Sequence, residues 1–356
     1  MSILTVYLKA FLKSIQKLSK HPYFGFIVFG VVLLIVQLMN LSGLVTPTLM
    51  KTLILVMIYS IISLGFALLL GYAGLASLGT AGFVGLGTYF IGHFSGTLGY
   101  PFIVTLVISL IGAIVLGVIV GFISLRIEGL YLGIITLGLS EIMKEVFKSF
   151  SAFTNGVNGL SFRNFALFGQ PVSDLTVNLL IIFVFIIMIL ATLNIIKSPT
   201  GRALLAMKNS DSAAQSMGIS LLKYRLLAFV LATIYAVIAG ILYMANQKFS
   251  IPTTWSLDFS LNILAAVIVG GAQSITGIIL GTFMIFGLNL AILQNIPFFQ
   301  NNPDAVWIIN GLLIILVIMF YPGGLIRLFQ AIKYSIISRY KKIKHAWRVY
   351  RYGEDD

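Results

Sequence analysis

Apolar runs long enough to cross a lipid bilayer recur along this chain almost without interruption, and scarcely any charge falls inside them. The hydrocarbon core of a bilayer needs about 20 predominantly apolar residues per helical span. Runs of this kind lie near residues 23–41, 50–70, 73–93, 101–124, 129–147, 176–196, 222–246, 258–271, 276–294 and 304–321. The expected fold is therefore all-α: a polytopic integral membrane protein with about ten transmembrane helices, some short or broken. The third and eighth runs have the weakest hydropathy, and either is open to a broken or re-entrant path. Of the 356 residues, 59% are hydrophobic and only 9% charged, against roughly 25% charged in a soluble domain. Too few charges remain to cover a water-facing surface, which excludes a soluble enzyme or ATPase and a disordered chain. The 34 glycines and 9 prolines are tolerable because neighbouring helices and polar side chains satisfy the backbone groups they free.

The net charge of +13 does not point to nucleic acid, because the basic residues sit between the apolar runs and at the two ends. They read as topology. Lys and Arg beside short loops stay on the cytoplasmic side, and with both termini cytoplasmic, Arg126, Lys197, Arg202, Lys208, Lys223 and Arg225 fall inside. Only Lys51, Lys144, Lys148, Arg163 and Lys248 of the 23 basic residues fall outside. Lys9, Lys13, Lys17 and Lys20 precede an apolar run, as in a signal peptide. The run from Tyr23 to Leu41 nevertheless spans a membrane and no small-residue cleavage site follows it, so it is expected to be an uncleaved first helix. The expected organisation is a basic cytoplasmic N-terminus at 1–22, a transmembrane domain at 23–325 with an external loop at about 148–175, and a basic cytoplasmic tail at 326–356.

The inside segment from Lys197 to Leu221 is amphipathic, with a proline start at Pro199 and a glycine stop at Gly218, as expected for a surface helix. Glycines cluster at Gly71, Gly74, Gly79, Gly82, Gly85 and Gly87, and again at Gly270, Gly271, Gly277 and Gly281. Small residues let helix backbones approach closely, so Gly79, Gly82, Gly270 and Gly271 are candidate packing or hinge positions.

The chain lacks cysteine and any Gly-x-x-x-x-Gly-Lys-Ser/Thr phosphate loop, so thiol chemistry is excluded and ATP hydrolysis would belong to a partner. His21, His93 and His345 show no metal-ligand spacing. Glu141 and Glu145 lie one helical turn apart with Lys144 and Lys148 interleaved. A carboxylate deep in a membrane is a candidate functional group; near the interface the lysines would simply neutralise the pair. Thr80, Thr136, Ser140, Asn262, Asn289 and Asn310 either line a pathway or bridge helices through hydrogen bonds. No constellation for an intramembrane enzyme is present.

Three stretches resemble the permease subunits of branched-chain amino acid ABC transporters, the high-affinity class that uses an external binding protein. They are Gly71–Tyr89; Leu125–Leu137 through Glu141 to Thr154–Leu160; and Ser198–Ala203 through Asp211–Ala214, Met217–Ile219 and Leu226–Phe229 to Gly270, Gly271 and Gly281. Together they cover roughly residues 50 to 320 in family order. The resemblance implies an ATP-driven importer in a bacterial or archaeal cytoplasmic membrane, most simply for branched-chain or other hydrophobic amino acids. Members of the same family carry urea, short amides, sugars or nucleosides, which leaves the substrate open. It implies a second permease subunit, two ATP-binding cassette subunits that use ATP and Mg, an extracytoplasmic binding protein and surrounding lipid; this chain itself needs no cofactor or metal and does no covalent chemistry. The segment at about 199–220 would be the coupling helix, with Arg202, Asp211, Ala213, Ala214 and Gly218 meeting the ATPase. Candidate pathway residues are Ser77, Thr80, Thr136, Glu141, Asn155 and Asn158. Thr80 stands where many relatives carry a histidine or larger polar residue, and Asn155 replaces a common glycine. The rival is an ion-coupled secondary transporter with Glu141 as its coupling carboxylate.

Overall fold

A computed structural model describes residues 23–124, 130–162, 166–167, 170–291, 296–302, 305–321 and parts of 323–338. The basic terminus at 1–22, the tail beyond 338, Arg126, Arg163, His21 and His345 lie outside these residues. The chain is helical: α1 Phe24–Leu41, α2 Pro47–Ala67, α3 Thr80–Ile91, α4 Phe102–Ser124, α5 Leu130–Ser149, α6 Asp174–Lys197, α7 Pro199–Asn209, α8 Asp211–Ser216, α9 Leu221–Gln247, α10 Leu257–Gly270, α11 Ile275–Thr282 and α12 Ala305–Phe320. Widened turns extend α2 through Tyr72, α3 through Thr97 and α11 through Gly287. Strands among the described residues are confined to two-residue pairs: β1 Leu160–Ser161 antiparallel to β4 Phe249–Ser250, and β2 Ala166–Leu167 to β3 Gln170–Pro171.

Six of the helices among the described residues are long and apolar enough to cross a membrane, and Ile275–Ala291 and Ile308–Val317 are shorter apolar helices. The third and eighth runs, the two open to a broken path, both carry short helices behind an interruption. The third does not enter as a helix at residue 73; Ala73–Gly79 is non-helical and the helix begins at Thr80. The eighth is short, with 14 helical residues at Leu257–Gly270 behind a tight turn at Pro252–Thr254. Such breaks survive at membrane depth only where protein covers them, and α3 has ten of its twelve residues buried.

Helix α2 and the second half of α9 form the core, with Ile58, Ile61, Leu64, Val237 and Met244 fully enclosed. Lipid tails are as apolar as leucine, so packing inside a bilayer relies on close van der Waals contact rather than on water exclusion. The α3–α9 crossing illustrates this. A Cβ on Gly240 would stand 2.1 Å from the Val84 carbonyl, and one on Gly87 would stand 2.3 Å from the Val237 carbonyl. Only glycine permits that approach, and the Thr88 hydroxyl then donates to the Gly240 carbonyl at 3.2 Å. Helices α10 and α11 form a hairpin by the same means, since a Cβ on Gly270 would meet the Gly277 carbonyl at 2.2 Å. The turn between them passes through Gly271 at φ +102. By contrast, α1 and α4 turn aliphatic faces outward, including Val31, Ile35, Ile111, Val115 and Ile119.

Candidate functional site

The break at Ala73–Gly79 brings the start of α3 into the interior. A helix start leaves its first N–H groups without intrahelical partners, and here hydroxyls from other helices receive them. Leu78 N–H donates to Thr136 Oγ1 at 2.9 Å, Gly82 N–H to Ser140 Oγ at 3.2 Å and Ala81 N–H to Ser260 Oγ at 3.0 Å. Ser77 supplies a longer local acceptor to Gly79 N–H at 3.4 Å. The positive end of the α3 dipole is thereby surrounded by neutral oxygens, the kind of interrupted helix end that transporters direct at anionic substrate groups. Ser77, Thr80 and Thr233 edge a cavity of about 10 Å³ between Phe66, Phe83 and Phe229. That is room for about one water. A larger, wholly apolar cavity of about 360 Å³ lies on the other side of Phe83, among Phe90, Leu116, Leu139, Met143 and Phe147.

Three of the candidate pathway residues, Ser77, Thr80 and Thr136, thus converge on one helix start. Ser140 and Ser260 join them, and the sequence pattern did not single out Ser260. Gly79 and Gly82 stand in the same turn, where added Cβ atoms would press on the Thr136 carbonyl at 3.1 Å and the Met143 sulfur at 2.8 Å. Glu141 lies on α5 beside this cluster, but its carboxylate is paired with Lys144, as Glu145 is with Lys148 at 2.6 Å. Asn155 and Asn158 sit elsewhere, exposed in the turn after α5. Asn155 is left-handed at φ 60 and donates from Nδ2 to the Gly159 carbonyl at 2.8 Å.

That turn belongs to one end of the bundle. β1 pairs with β4 there, Lys248 Nζ meets Asp174 Oδ1 at 2.6 Å, and the buried Trp255 donates from Nε1 to Ser250 at 3.0 Å. His93 packs against the rings of Phe94 and Phe153. Among the described residues, His, Asp and Glu side chains do not gather in groups of three.

At the opposite end, the segment expected as one amphipathic stretch is two helices. Ser198 caps α7 at Gly201 N–H, and Ser210, with an extended backbone, ends α7 and caps α8 at Ala213 N–H. Helix α7 buries Gly201, Ala203, Leu204 and Met207. Helix α8 exposes Ser212, Ala213, Gln215 and Ser216 and turns only Ala214 inward, at 1% exposure. Asp211 pairs with Arg225 of α9, Gly218 takes φ +77, and Arg202 is exposed with its guanidinium on the Lys197 carbonyl at 3.2 Å. Beside α8 a groove of about 400 Å³ is lined by Gln215, Ile219, Leu221, Leu222 and Arg225. Of the five candidate docking residues, Arg202, Ala213 and Gly218 are exposed and Asp211 is half-buried, whereas Ala214 faces the chain's own core.

Residues 48–318 match the family described as Branched-chain amino acid transport system / permease component. The chain is 29% identical over 297 residues to the high-affinity branched-chain amino acid transport system permease protein LivM of Escherichia coli K12, covering 76% of this chain and 68% of that protein. It is 32% identical over 165 residues to the probable branched-chain amino acid transport permease protein LivH of Methanocaldococcus jannaschii, covering 45% and 50%. A shorter likeness, 27% over 126 residues covering 35% and 38%, joins it to the L-arabinose transport system permease protein AraH of Escherichia coli K12. No solved structure matches it. With its interrupted α3, its apolar helices and a match that runs through most of its length, this multi-pass membrane protein belongs to the branched-chain amino acid transport permease family.

Proposed function

We propose that this chain is a translocation subunit of an ATP-driven importer for branched-chain or other hydrophobic amino acids, and that it works by alternating access. The observation that carries the reading is the exposed face of α8 with the adjoining groove at Gln215, Leu222 and Arg225. A short surface helix beside a partly apolar groove suits docking on a soluble partner, here an ATPase subunit that supplies ATP and Mg chemistry. Lys197, Arg202, Lys208, Lys223 and Arg225 gather with α7 and α8, and positive charge is retained in the cytoplasm, so this end and both termini are assigned inside. The Asn155 end is then external and receives the binding protein. Helices α1 and α4 face lipid. Helix α5 exposes Tyr131, Ile134, Ile142 and Glu145, a mixed stripe that suits a second permease subunit and a shared path. The pairing of Glu141 with Lys144 supports assigning that carboxylate a local ion pair, the rival being ion coupling through it.

The test is uptake by proteoliposomes that hold this chain with its partner permease, ATPases and binding protein. Uptake of leucine, isoleucine or valine that requires ATP and is blocked by vanadate supports the assignment. Uptake that proceeds without ATP and collapses with an ion gradient refutes it.

A further inference from the structure

The carbonyl of Gly71, at the end of α2, accepts two side-chain donors from segments distant in sequence. Lys208 Nζ lies at 2.7 Å and Gln273 Nε2 at 3.1 Å. The Tyr72 hydroxyl in turn donates to the Gln273 carbonyl at 3.0 Å. The Gly71 carbonyl is available because α2 stops here. The backbone N–H groups that fold back are those of Ala73 and Leu75, and they reach Leu68 and Leu69 instead. A helix end carries partial negative charge, which suits an ammonium donor. The stem of Lys208 crosses Gly74, where an added Cβ would lie 3.3 Å from Lys208 Cγ and where φ is +73. Among the described residues the ion pairs do not include Lys208.

Lys208 occupies the last turn of α7, immediately before Ser210 and α8. Gly71 lies two residues before Ala73, where the segment Ala73–Gly79 begins that delivers Ser77 and Thr80 to the start of α3. We propose that Lys208 is a positioning residue for transport: its bond to Gly71 transmits displacement of α8 to the interrupted segment that ends at the hydroxyl cluster. The inference rests on the assignment of α8 as the ATPase-docking element. Gln273 gives the latch its second state. When Lys208 withdraws with α7, the Gly71 carbonyl keeps a partner, so release does not strand a buried acceptor. Interfaces with two discrete arrangements of this kind convert small shifts at one site into larger ones elsewhere.

The experiment uses the complete reconstituted transporter and measures uptake and ATP hydrolysis together. Lys208→Met keeps the stem and removes the donor. It is expected to leave ATP hydrolysis and the thermal stability of the complex near wild type while lowering uptake per ATP by about 5- to 10-fold, within the range of ordinary coupling energies. Lys208→Arg, which restores a cationic donor, is expected to recover most of that ratio. Gln273→Leu leaves Lys208 on the Gly71 carbonyl but removes the partner that remains after release, and is expected to lower uptake per ATP by a smaller factor with stability near wild type. An unchanged ratio in Lys208→Met overturns the proposal. So does a parallel fall of uptake, hydrolysis and stability that Lys208→Arg does not rescue, because that pattern belongs to a simple brace. If the wild-type complex itself fails to tie uptake to ATP, the assignment of function falls instead.

Discussion

At the Asn155 end of the bundle, connecting segments are joined by backbone pairing between Leu160–Ser161 and Phe249–Ser250, and the left-handed residues Asn155, Gly156, Gly159 and Lys248 fix the turns. At the Gly71 end the polar ties between distant segments are side-chain bonds, Lys208 and Gln273 on one carbonyl and Arg225 on Asp211, beside the apolar packing of α7. A β pair flanked by the non-glycine residues Asn155 and Lys248 at positive φ admits few alternatives, whereas one ammonium on a flexible stem exchanges partners readily. The difference suits a firm platform on one side of the membrane and a movable lever on the other. Both ends hang on the α3–α9 crossing between them.

That crossing offers the most severe way to break the comparison. Gly240→Leu places a side chain on the Val84 carbonyl, and overpacking of this kind costs on the order of 3 kcal/mol or more. The expected outcome is loss of monodisperse protein by size-exclusion chromatography. The second test contrasts neighbours on α8. Ala214→Arg buries a charge without a partner and should lower the folded yield several-fold. Ala213→Arg lies on the exposed face and should keep the yield while lowering uptake per ATP by about tenfold, within the range of coupling energies. Equal behaviour of the two variants would remove the distinction between a docking face and a packing face. Third, Ser140→Ala and Ser260→Ala each strand an interior N–H of α3, at a cost of about 1–2 kcal/mol, read as a lowered unfolding temperature in detergent. The smallest effect is expected at the Asn155 end. The Asp174 and Lys248 side chains are 79% and 44% exposed, so Asp174→Asn should change stability by less than about 1 kcal/mol.

Apolar length made the membrane class and most helix positions legible, because a run of some 20 apolar residues can be read without knowing any tertiary contact. It left the third run open to a break but did not place that break at Ala73–Gly79, because the oxygens of Thr136, Ser140 and Ser260 that receive the N–H groups of Leu78, Gly82 and Ala81 lie far away in sequence. Those acceptors come from 58 and 179 residues away, beyond any local pattern. The division of the inside segment at Ser210 was hidden for a related reason. A six-residue helix is too short to display its own periodicity, so the inward turn of Ala214 could not be told from the outward turn of Ala213. Lys208 read as one more cytoplasmic charge, and its role depends on a carbonyl that is free only because α2 ends at Tyr72.

The absence of cysteine permits a direct test of the sidedness on which the lever depends. Single variants Ala213→Cys and Val157→Cys, treated with a membrane-impermeant maleimide in right-side-out vesicles, should react only at Val157, which is 69% exposed. Ala213→Cys should become reactive when the vesicles are opened and be shielded again when the ATPase is bound. Labelling of Ala213→Cys from the external side, or labelling that bound ATPase does not change, would contradict the account.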